Sequence, residues 1–312
     1  MRAVKTNLKK GMAEFMHLDL ASLKVKCKQK HNLSVHAFAA AFRARDLPLH
    51  RLINNAGIFL PKDALTEDDM EIQMQVNYFG HVYLSQLLLP SLAAGSPSRL
   101  VWVSSATEAA APAAIDWDNL GGRGYCSDYT TYARSKLYIR MAAREMQRRL
   151  RGACIDVYAV HLGIARTDLW CKINMHKVDA LRDYLAELVF CQPAFLGAFP
   201  IMHAACAPAE QLPGKGGVFV YGPPYKRIWT GLILTLNWMC NTHQNKADHP
   251  LVYDEEACRR LYEASLHFLS EKTGEKLESG PSKPHTDASH PGNTRAAEFT
   301  GASHAGATKA EE

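Results

Sequence analysis

Short apolar runs alternate with longer segments of helical periodicity along most of the chain. Five such runs are predicted to be strands: Ala13 to Met16, Leu52-Ile53, Arg99 to Val103, Ile155 to Val160 and Gly217 to Tyr221. A capping box at Thr66 to Asp69 predicts a helix that reaches about Leu89 and ends at Pro90. A second long helix is predicted over Asp128 to Arg149. Strands that alternate with helices predict an α/β fold with a parallel sheet covered on both faces.

Two segments interrupt this alternation and are predicted to be insertions. Residues 24–33, rich in lysine, break a helical pattern that otherwise runs from Ala21 to Phe38. Residues 226–245 surround the apolar run Ile228 to Cys240, which is too short to span a bilayer. We interpret this run as an extra buried helix and keep an interfacial membrane contact as the less favoured alternative.

The C-terminal end differs in composition from the rest of the chain. The sequence as a whole is 47% hydrophobic and 21% charged, which is ordinary for a soluble globular protein. Beyond residue 271, Ser, Gly, Pro, His, Thr and Ala dominate and apolar periodicity is lost. We therefore predict one domain over residues 1–271 and a disordered tail over residues 272–312.

The net charge of +5 is concentrated near the N-terminus. Residues 1–50 hold ten Lys or Arg against three Asp or Glu. Nucleic-acid binding is one interpretation of such a basic patch, but a solvated surface is the more common one. We therefore expect no nucleic-acid partner.

The cysteines and the N-terminus bear on the compartment. None of the eight cysteines forms a C-x-x-C pair or lies beside a histidine cluster, so we expect reduced thiols and no metal site. The N-terminus lacks the apolar core of a signal peptide, and no stretch reaches the ~18 apolar residues of a membrane span. These features predict a cytoplasmic protein.

The candidate chemistry centres on Tyr132 and Lys136. Residues four apart share one face of a helix, so the two side chains are expected to project together. A free tyrosine has a pKa of about 10, and a nearby ammonium group favours the phenolate and lowers that pKa. Such a phenol is suited to exchanging a proton with an alcohol or carbonyl oxygen.

Polar residues at predicted strand ends and on a neighbouring helix accompany this pair. Ser105 ends a strand and can hydrogen-bond a substrate oxygen, and Asn77 lies on a helix expected to pack nearby. Asn54-Asn55-Ala56-Gly57 follows another strand at the carboxyl edge, where open α/β sheets bind ligands. The sequence therefore predicts a substrate and cofactor site at this edge.

Taken together and in this order, these residues resemble the short-chain dehydrogenase/reductase family. The matching pieces, over about residues 1–270, are Asp19, Asn54-Asn55-Ala56-Gly57, Asn77, Val103-Ser104-Ser105, Tyr132 with Lys136, and His161-Leu162-Gly163 through Thr167. The long interval from Ser105 to Tyr132 and the C-terminal half resemble the retinol-dehydrogenase and WW-domain-oxidoreductase branch. The resemblance implies a Rossmann-type, doubly wound parallel sheet and NADP or NAD as cofactor.

The resemblance also implies a role for each residue. Tyr132 would be the catalytic acid/base, Lys136 would lower its pKa and contact the nicotinamide ribose, Ser105 would orient the substrate carbonyl and Asn77 would support the proton relay. A further set would line the cofactor: Asp19 at the adenine, Asn54, Asn55, Ala56 and Gly57 along its length, and Thr167 at the carboxamide. The cofactor would supply the hydride.

The chain departs from the family at the phosphate-binding loop. The family opens with strand, Thr-Gly-x-x-x-Gly-x-Gly, helix and strand, and nothing before Asp19 fits that pattern. We therefore expect the first strand-helix-strand to be missing and, with it, the helix N-terminus that receives the pyrophosphate. Leu162 stands where the family has proline.

Two functions of different classes follow from this mixture. The leading hypothesis is an oxidoreductase that interconverts an apolar alcohol and its aldehyde or ketone with NADP or NAD. The alternative is a catalytically dead scaffold, or a gene-model fragment, that acts through partner binding. Cofactor titration separates them, because a scaffold needs no nicotinamide.

Overall fold

The computed structural model describes residues 13–24, 34–163, 165–167, 169, 192–212, 219–221 and 248–278. All of them lie in one compact unit, Met1–Pro281; the second unit, Ser282–Glu312, falls outside the described residues. The predicted insertion at 226–245 also lies outside them, as do residues 25–33 of the first insertion and 279–312 of the predicted tail.

A parallel four-stranded sheet forms the centre of the described fold. Its strands, in spatial order, are β1 (Arg51–Asn54), β2 (Ser98–Ser104), β3 (Ile155–His161) and β6 (Phe219–Tyr221). All three neighbouring pairs run parallel. Two further two-residue strands, β4 (Ala165–Arg166) and β5 (Gln192–Pro193), pair separately. The predicted parallel α/β sheet is confirmed.

Helices cover both faces of this sheet. They are α1 (Val35–Arg43), α2 (Ile72–Met74), α3 (Gly80–Ala94), α4 (Tyr129–Leu150), α5 (Ala194–Cys206) and α6 (Glu255–Thr273), with a π-helical turn, Gln75–Phe79, joining α2 to α3. Alternate residues of β2 point to opposite faces. Leu100 and Trp102 pack in the cluster that holds α3, α4 and α6, whereas Val101 and Val103 pack against Ala204 and Ala205 of α5.

The prediction of a strand at Ala13 to Met16 is wrong. These residues have no ladder partner among the residues that the structure describes, and the nearby Asp19 forms an isolated parallel bridge with Ser34. A strand needs a neighbour to accept and donate its backbone hydrogen bonds. The Leu52-Ile53 strand, whose apolar residues predict that it is buried, does form, but it lies at the edge of the described sheet and Ile53 is 39% exposed.

The helix predicted from the capping box begins later and ends later than expected. Thr66 closes a turn in which its Oγ1 accepts from the Met70 N–H at 3.3 Å. The cap is instead Glu71, whose carboxylate accepts from the Met74 N–H at 2.8 Å. Pro90 lies inside α3, which continues to Ala94 because its leucines are buried in the core.

Helix α4 follows its predicted limits, Asp128 to Arg149, closely. Asp128 caps α4 by accepting from the Thr131 N–H at 2.8 Å, and basic residues end the helix, as the helix dipole favours. Asp254 caps α6 in the same way. No helix in the described ranges has the length and apolar character needed to cross a bilayer.

The chain continues to pack on the core after α6. Glu275 accepts from the Tyr83 hydroxyl at 2.7 Å and lies 2.8 Å from His36 Nε2 and 3.2 Å from Lys24 Nζ. Leu277 packs against the main apolar cluster. Residues 273–278 therefore dock on the domain, although the sequence places them in the tail.

Candidate active site

Helix α4 and the end of β2 bring four of the predicted site residues together. Tyr132 and Lys136 share the buried face of α4, and the Lys136 ammonium lies 5.5 Å from the centroid of the Tyr132 ring. Ser105 follows β2 and hydrogen-bonds Tyr132. Asn77, from the π-helical turn, donates to Ser135 Oγ at 3.1 Å, and Ser135 in turn donates to the Tyr132 carbonyl at 2.7 Å. We call Ser105, Tyr132, Lys136 and Asn77 the Tyr132 cluster.

The Lys136 ammonium is held inside the protein. Its side chain reaches the end of β2, where Nζ donates to the Val103 carbonyl at 3.0 Å. The residue is only 4% exposed, and burial lowers the pKa of Lys136 to about 8. This ammonium therefore remains mostly charged at neutral pH but at an energetic cost to the fold.

Burial raises the pKa of Tyr132, whereas the sequence predicts that Lys136 lowers it. Desolvation raises the pKa of Tyr132 to about 12, against the opposing effect of its hydrogen bond with Ser105. The Phe59 ring packs edge-on against Tyr132, with centroids 4.5 Å apart, and contributes to this dry surrounding. The expectation that Lys136 holds the phenol pKa below its usual value is wrong, because desolvation dominates.

Four polar side chains along α2, the π-helical turn and α3 hold residues 54–60, which begin with the last residue of β1. These side chains recur every fourth residue, and the residues to which they hydrogen-bond are two apart. The bonds, of 2.8–3.1 Å, join Gln73 to Leu60, Asn77 to Ile58, His81 to Ala56 and Ser85 to Asn54. Four helical residues rise ~6 Å and two extended residues ~6.6 Å, so the two spacings match. We call these four side chains the polar stripe.

The polar stripe includes residues that the sequence reasoning missed. Burial lowers the pKa of His81 to about 4, so its ring is neutral and Nε2–H donates to the Ala56 carbonyl. The signal was present in the sequence, since Gln73, Asn77, His81 and Ser85 repeat at intervals of four in a helix whose other residues are mostly apolar. Asn77 belongs to both the polar stripe and the Tyr132 cluster and so links them.

Gly57 passes close to the Tyr132 cluster. A Cβ atom at this position would lie 3.3 Å from Asn77 Oδ1 and 3.6 Å from Lys136 Nζ. A larger side chain would therefore displace one of these two groups. Asn55 and Ala56 are exposed at the end of β1, where a ligand can reach them, whereas Asn54 is buried.

The two remaining predicted residues lie apart from the cluster. Asp19 Oδ1 accepts from the Ala21 N–H at 2.9 Å, and the neighbouring Leu20 carbonyl lies against Gly80 of α3. Thr167 is exposed just after β4. Within the described ranges, neither residue contacts Tyr132 or Lys136, and their cofactor roles stay predictions.

A buried ion cluster next to the site was also missed by sequence reasoning. Arg140 of α4 pairs with Glu108, which lies in the 3₁₀ turn Ala106–Ala110 directly after Ser105. The Arg140 guanidinium also donates two hydrogen bonds, of 2.8 and 2.7 Å, to the Asp248 carboxylate. Burial raises the pKa of Glu108, and Arg140 counteracts that effect.

Comparison with known proteins identifies the family. Residues 3–117 match the family model described as short chain dehydrogenase, a range that includes Asn77 and Ser105. The chain is 33% identical to human retinol dehydrogenase 13 over 258 residues. This aligned region covers 81% of this chain and 67% of that relative. The chain belongs to the short-chain dehydrogenase/reductase family. The predicted family and its retinol-dehydrogenase branch are thereby confirmed.

Other relatives extend this result. Zebrafish polyprenol dehydrogenase is 37% identical over 227 residues, covering 71% of this chain and 65% of the relative. The mouse polyprenol dehydrogenase is 38% identical, with 62% of its length covered, so the chain spans less than two thirds of both. A solved structure of a putative uncharacterized protein from Mycobacterium paratuberculosis matches this chain with a TM-score of 0.50 at 24% identity. The match covers 84% of this chain and 75% of that chain, and it shows that the two share a fold.

Proposed function

We propose that this chain interconverts an apolar alcohol and its aldehyde or ketone by hydride transfer with NADP or NAD. The observation that carries the proposal is that the buried Tyr132 and Lys136 lie beside the half-buried Ser105 at the carboxyl end of β2. A phenol, a hydroxyl and an ammonium in one dry site provide a proton donor, an orienting hydrogen bond and a positive charge.

Each residue has a separate task in this mechanism. Ser105 holds the substrate oxygen by a hydrogen bond, and Tyr132 gives its phenolic proton to a carbonyl oxygen or takes the proton of an alcohol. The Lys136 ammonium, 5.5 Å from the phenol ring, stabilises the phenolate left by proton donation. A bound nicotinamide supplies or accepts the hydride. Because the phenol has a pKa of about 12, Tyr132 starts carbonyl reduction as the protonated acid, whereas it must lose its proton before it can act as the base in alcohol oxidation.

The described residues fit one end of this cofactor better than the other. Gly57 offers close backbone approach beside Asn77 and Lys136, which suits a nicotinamide ribose. Across the described ranges, no helix opens with a glycine-rich turn that would present backbone N–H groups to a pyrophosphate. The proposal therefore assigns Asn55, Ala56, Gly57 and Lys136 to the cofactor.

The substrate class is argued from surroundings and relatives. Phe59 packs directly on Tyr132 and gives the site an apolar wall. The relatives are named for polyprenol and retinol, which are both apolar alcohols. We therefore assign an apolar alcohol or carbonyl compound as the substrate of this chain.

A single substitution tests the proposal. The purified chain is incubated with millimolar NADP or NAD and a detergent-solubilised polyprenol or retinol, and reduced nicotinamide is followed by absorbance. Tyr132→Phe keeps the ring and removes the acid, so turnover should fall to background. Tyr138→Phe, on the same helix, is the matched control and should keep its turnover. Equal rates for Tyr132→Phe and the unmodified chain would refute the assignment.

A partner-binding scaffold is the second candidate, favoured by one specific observation. The outer edge of β1 leaves Ile53 exposed, and α5 exposes Phe195, Phe199 and Met202 at helical spacing. Exposed apolar side chains of this kind are typical of interaction surfaces. Calorimetric titration with NADPH and NADH discriminates the two candidates, since a scaffold gives no heat of binding.

A further inference from the structure

Three charged side chains form a buried cluster just behind the Tyr132 cluster. The side chains of Glu108 and Arg140 are 2% and 8% exposed, and Asp248 is also largely buried. Arg140 contacts both carboxylates and holds Asp248 with two parallel hydrogen bonds of 2.8 and 2.7 Å. A guanidinium in this geometry fixes both partners in direction as well as distance.

The position of this ion cluster in the chain ties it to the proposed catalytic residues. Arg140 follows Lys136 by four residues and Tyr132 by eight, so all three lie on one face of α4. Glu108 lies three residues after Ser105, and its N–H donates to the Ser105 carbonyl at 3.1 Å. The Glu108–Arg140 pair therefore joins the turn that carries Ser105 to the helix that carries Tyr132.

A second connection lies on the other side of Ser105. The Ser104 hydroxyl donates to the Lys136 carbonyl at 2.8 Å. Ser105 is thus placed between two connections to α4, one through Ser104 and one through Glu108. With both in place, the Ser105 hydroxyl has little freedom to move relative to the Tyr132 phenol.

We propose that Glu108, Arg140 and Asp248 are positioning residues that hold the Ser105 hydroxyl in register with the Tyr132 phenol. This inference rests on the proposed function. A buried ion pair contributes little net stability compared with an apolar pair of the same size, because both charges lose their hydration. What it provides instead is a fixed geometry. Here that geometry sets the distance between the Ser105 hydroxyl and the Tyr132 phenol, which must both contact one substrate oxygen.

Substitution of Glu108, with a matched control, tests the proposal kinetically. Glu108→Gln keeps the shape and removes the charge, and it should lower kcat between about tenfold and a hundredfold, with the cofactor Kd within about twofold. Glu145→Gln is the control, because Glu145 is equally buried in ion pairs with Arg148 and Arg149 on the same helix. It lies 13 residues beyond Tyr132, ~20 Å along the helix axis, and should leave kcat unchanged.

Combination with Ser105→Ala separates positioning from a general loss of structure. If Glu108 acts through Ser105, Glu108→Gln should cause little further loss of kcat in the Ser105→Ala background. Additive losses, or equal effects of Glu108→Gln and Glu145→Gln, would overturn the proposal. Glu108→Asp retains the charge and should recover part of kcat, which also covers the case in which Glu108→Gln fails to fold.

A spectroscopic measurement tests the inference independently of turnover. In protein carrying ¹³C-labelled tyrosine, the Tyr132 resonance is assigned from its loss in Tyr132→Phe. Glu108→Gln should shift this resonance in the same direction as Ser105→Ala, and Glu145→Gln should leave it in place. An unmoved resonance in Glu108→Gln would refute the positioning role. Absent turnover in the unmodified chain would instead refute the proposed function.

Discussion

Replacing Lys136 by methionine should make the ligand-free protein more stable while abolishing its proposed activity. Burial lowers the pKa of Lys136 from 10.5 to about 8. At ~1.4 kcal/mol per pKa unit, keeping this ammonium charged inside the fold costs ~3 kcal/mol at pH 7. Methionine retains the apolar stem, and loss of the charge-assisted hydrogen bond to the Val103 carbonyl removes ~1.5 kcal/mol. The net gain is ~1.5 kcal/mol, or a rise in Tm of ~3–6 °C.

The pH dependence of this gain identifies its cause. Below pH 8, Lys136 is protonated in both the folded and unfolded states, so the full cost applies. Between pH 8 and 10.5 the unfolded state binds more protons than the folded state, so the unmodified protein gains stability as the pH rises. The difference in Tm between Lys136→Met and the unmodified chain should therefore shrink from pH 7 to pH 10.5.

Thermal unfolding followed by circular dichroism at several pH values provides the assay. Lys62→Met removes an exposed lysine and should leave Tm within error at each pH. A Lys136→Met protein that is no more stable than the parent at pH 7, or a difference in Tm that does not change with pH, would show that the buried ammonium carries no such cost.

Three further predictions follow from other parts of the structure. His81→Leu removes the donor to the Ala56 carbonyl and should lower the free energy of unfolding by about 0.5–1.5 kcal/mol, with faster hydrogen exchange at residues 54–60; unchanged exchange there would contradict a holding role for the polar stripe. Ending the chain after residue 278 should leave Tm unchanged, whereas ending it after residue 272 should lower Tm, because Glu275 then no longer accepts from Tyr83; equal values for both truncations would show that this contact is unimportant. Residues 1–312 should bind NADPH and NADH about a hundredfold more weakly than a chimera carrying a grafted strand, glycine loop and helix, since two charged hydrogen bonds are worth ~3 kcal/mol or more; micromolar binding by the ungrafted chain in calorimetry would refute this.

The sequence predicts best those features that local pattern decides. The strands β2 and β3 and the helix α4 form where continuous apolar runs and an Asp128 cap place them. Tyr132 and Lys136 share a face because they are four residues apart. Each of these outcomes depends on neighbours within one or two turns of the chain.

Features set by partners distant in the chain could not be predicted. The Ala13 to Met16 run has no adjacent strand in the described part of the chain, and Glu71 replaces Thr66 as the helix cap because the tertiary structure buries it beside Ser127. The pKa of Tyr132 rises because the fold removes water from around it, which no spacing in the sequence records.

The π-helical turn at Gln75–Phe79 gives this part of the chain a fixed length. It lies between the Gln73 and Ser85 ends of the polar stripe and carries Asn77 within it. Deleting one residue would convert the turn to regular α-helix and rotate Gln73 by ~100° relative to His81, carrying it away from Leu60. An insertion would do the same in the other direction. Point substitutions can accumulate on the outer face of this helix. Gain or loss of a single residue anywhere between Gln73 and Ser85, however, would break the hydrogen bonds between the polar stripe and residues 54–60 in one step.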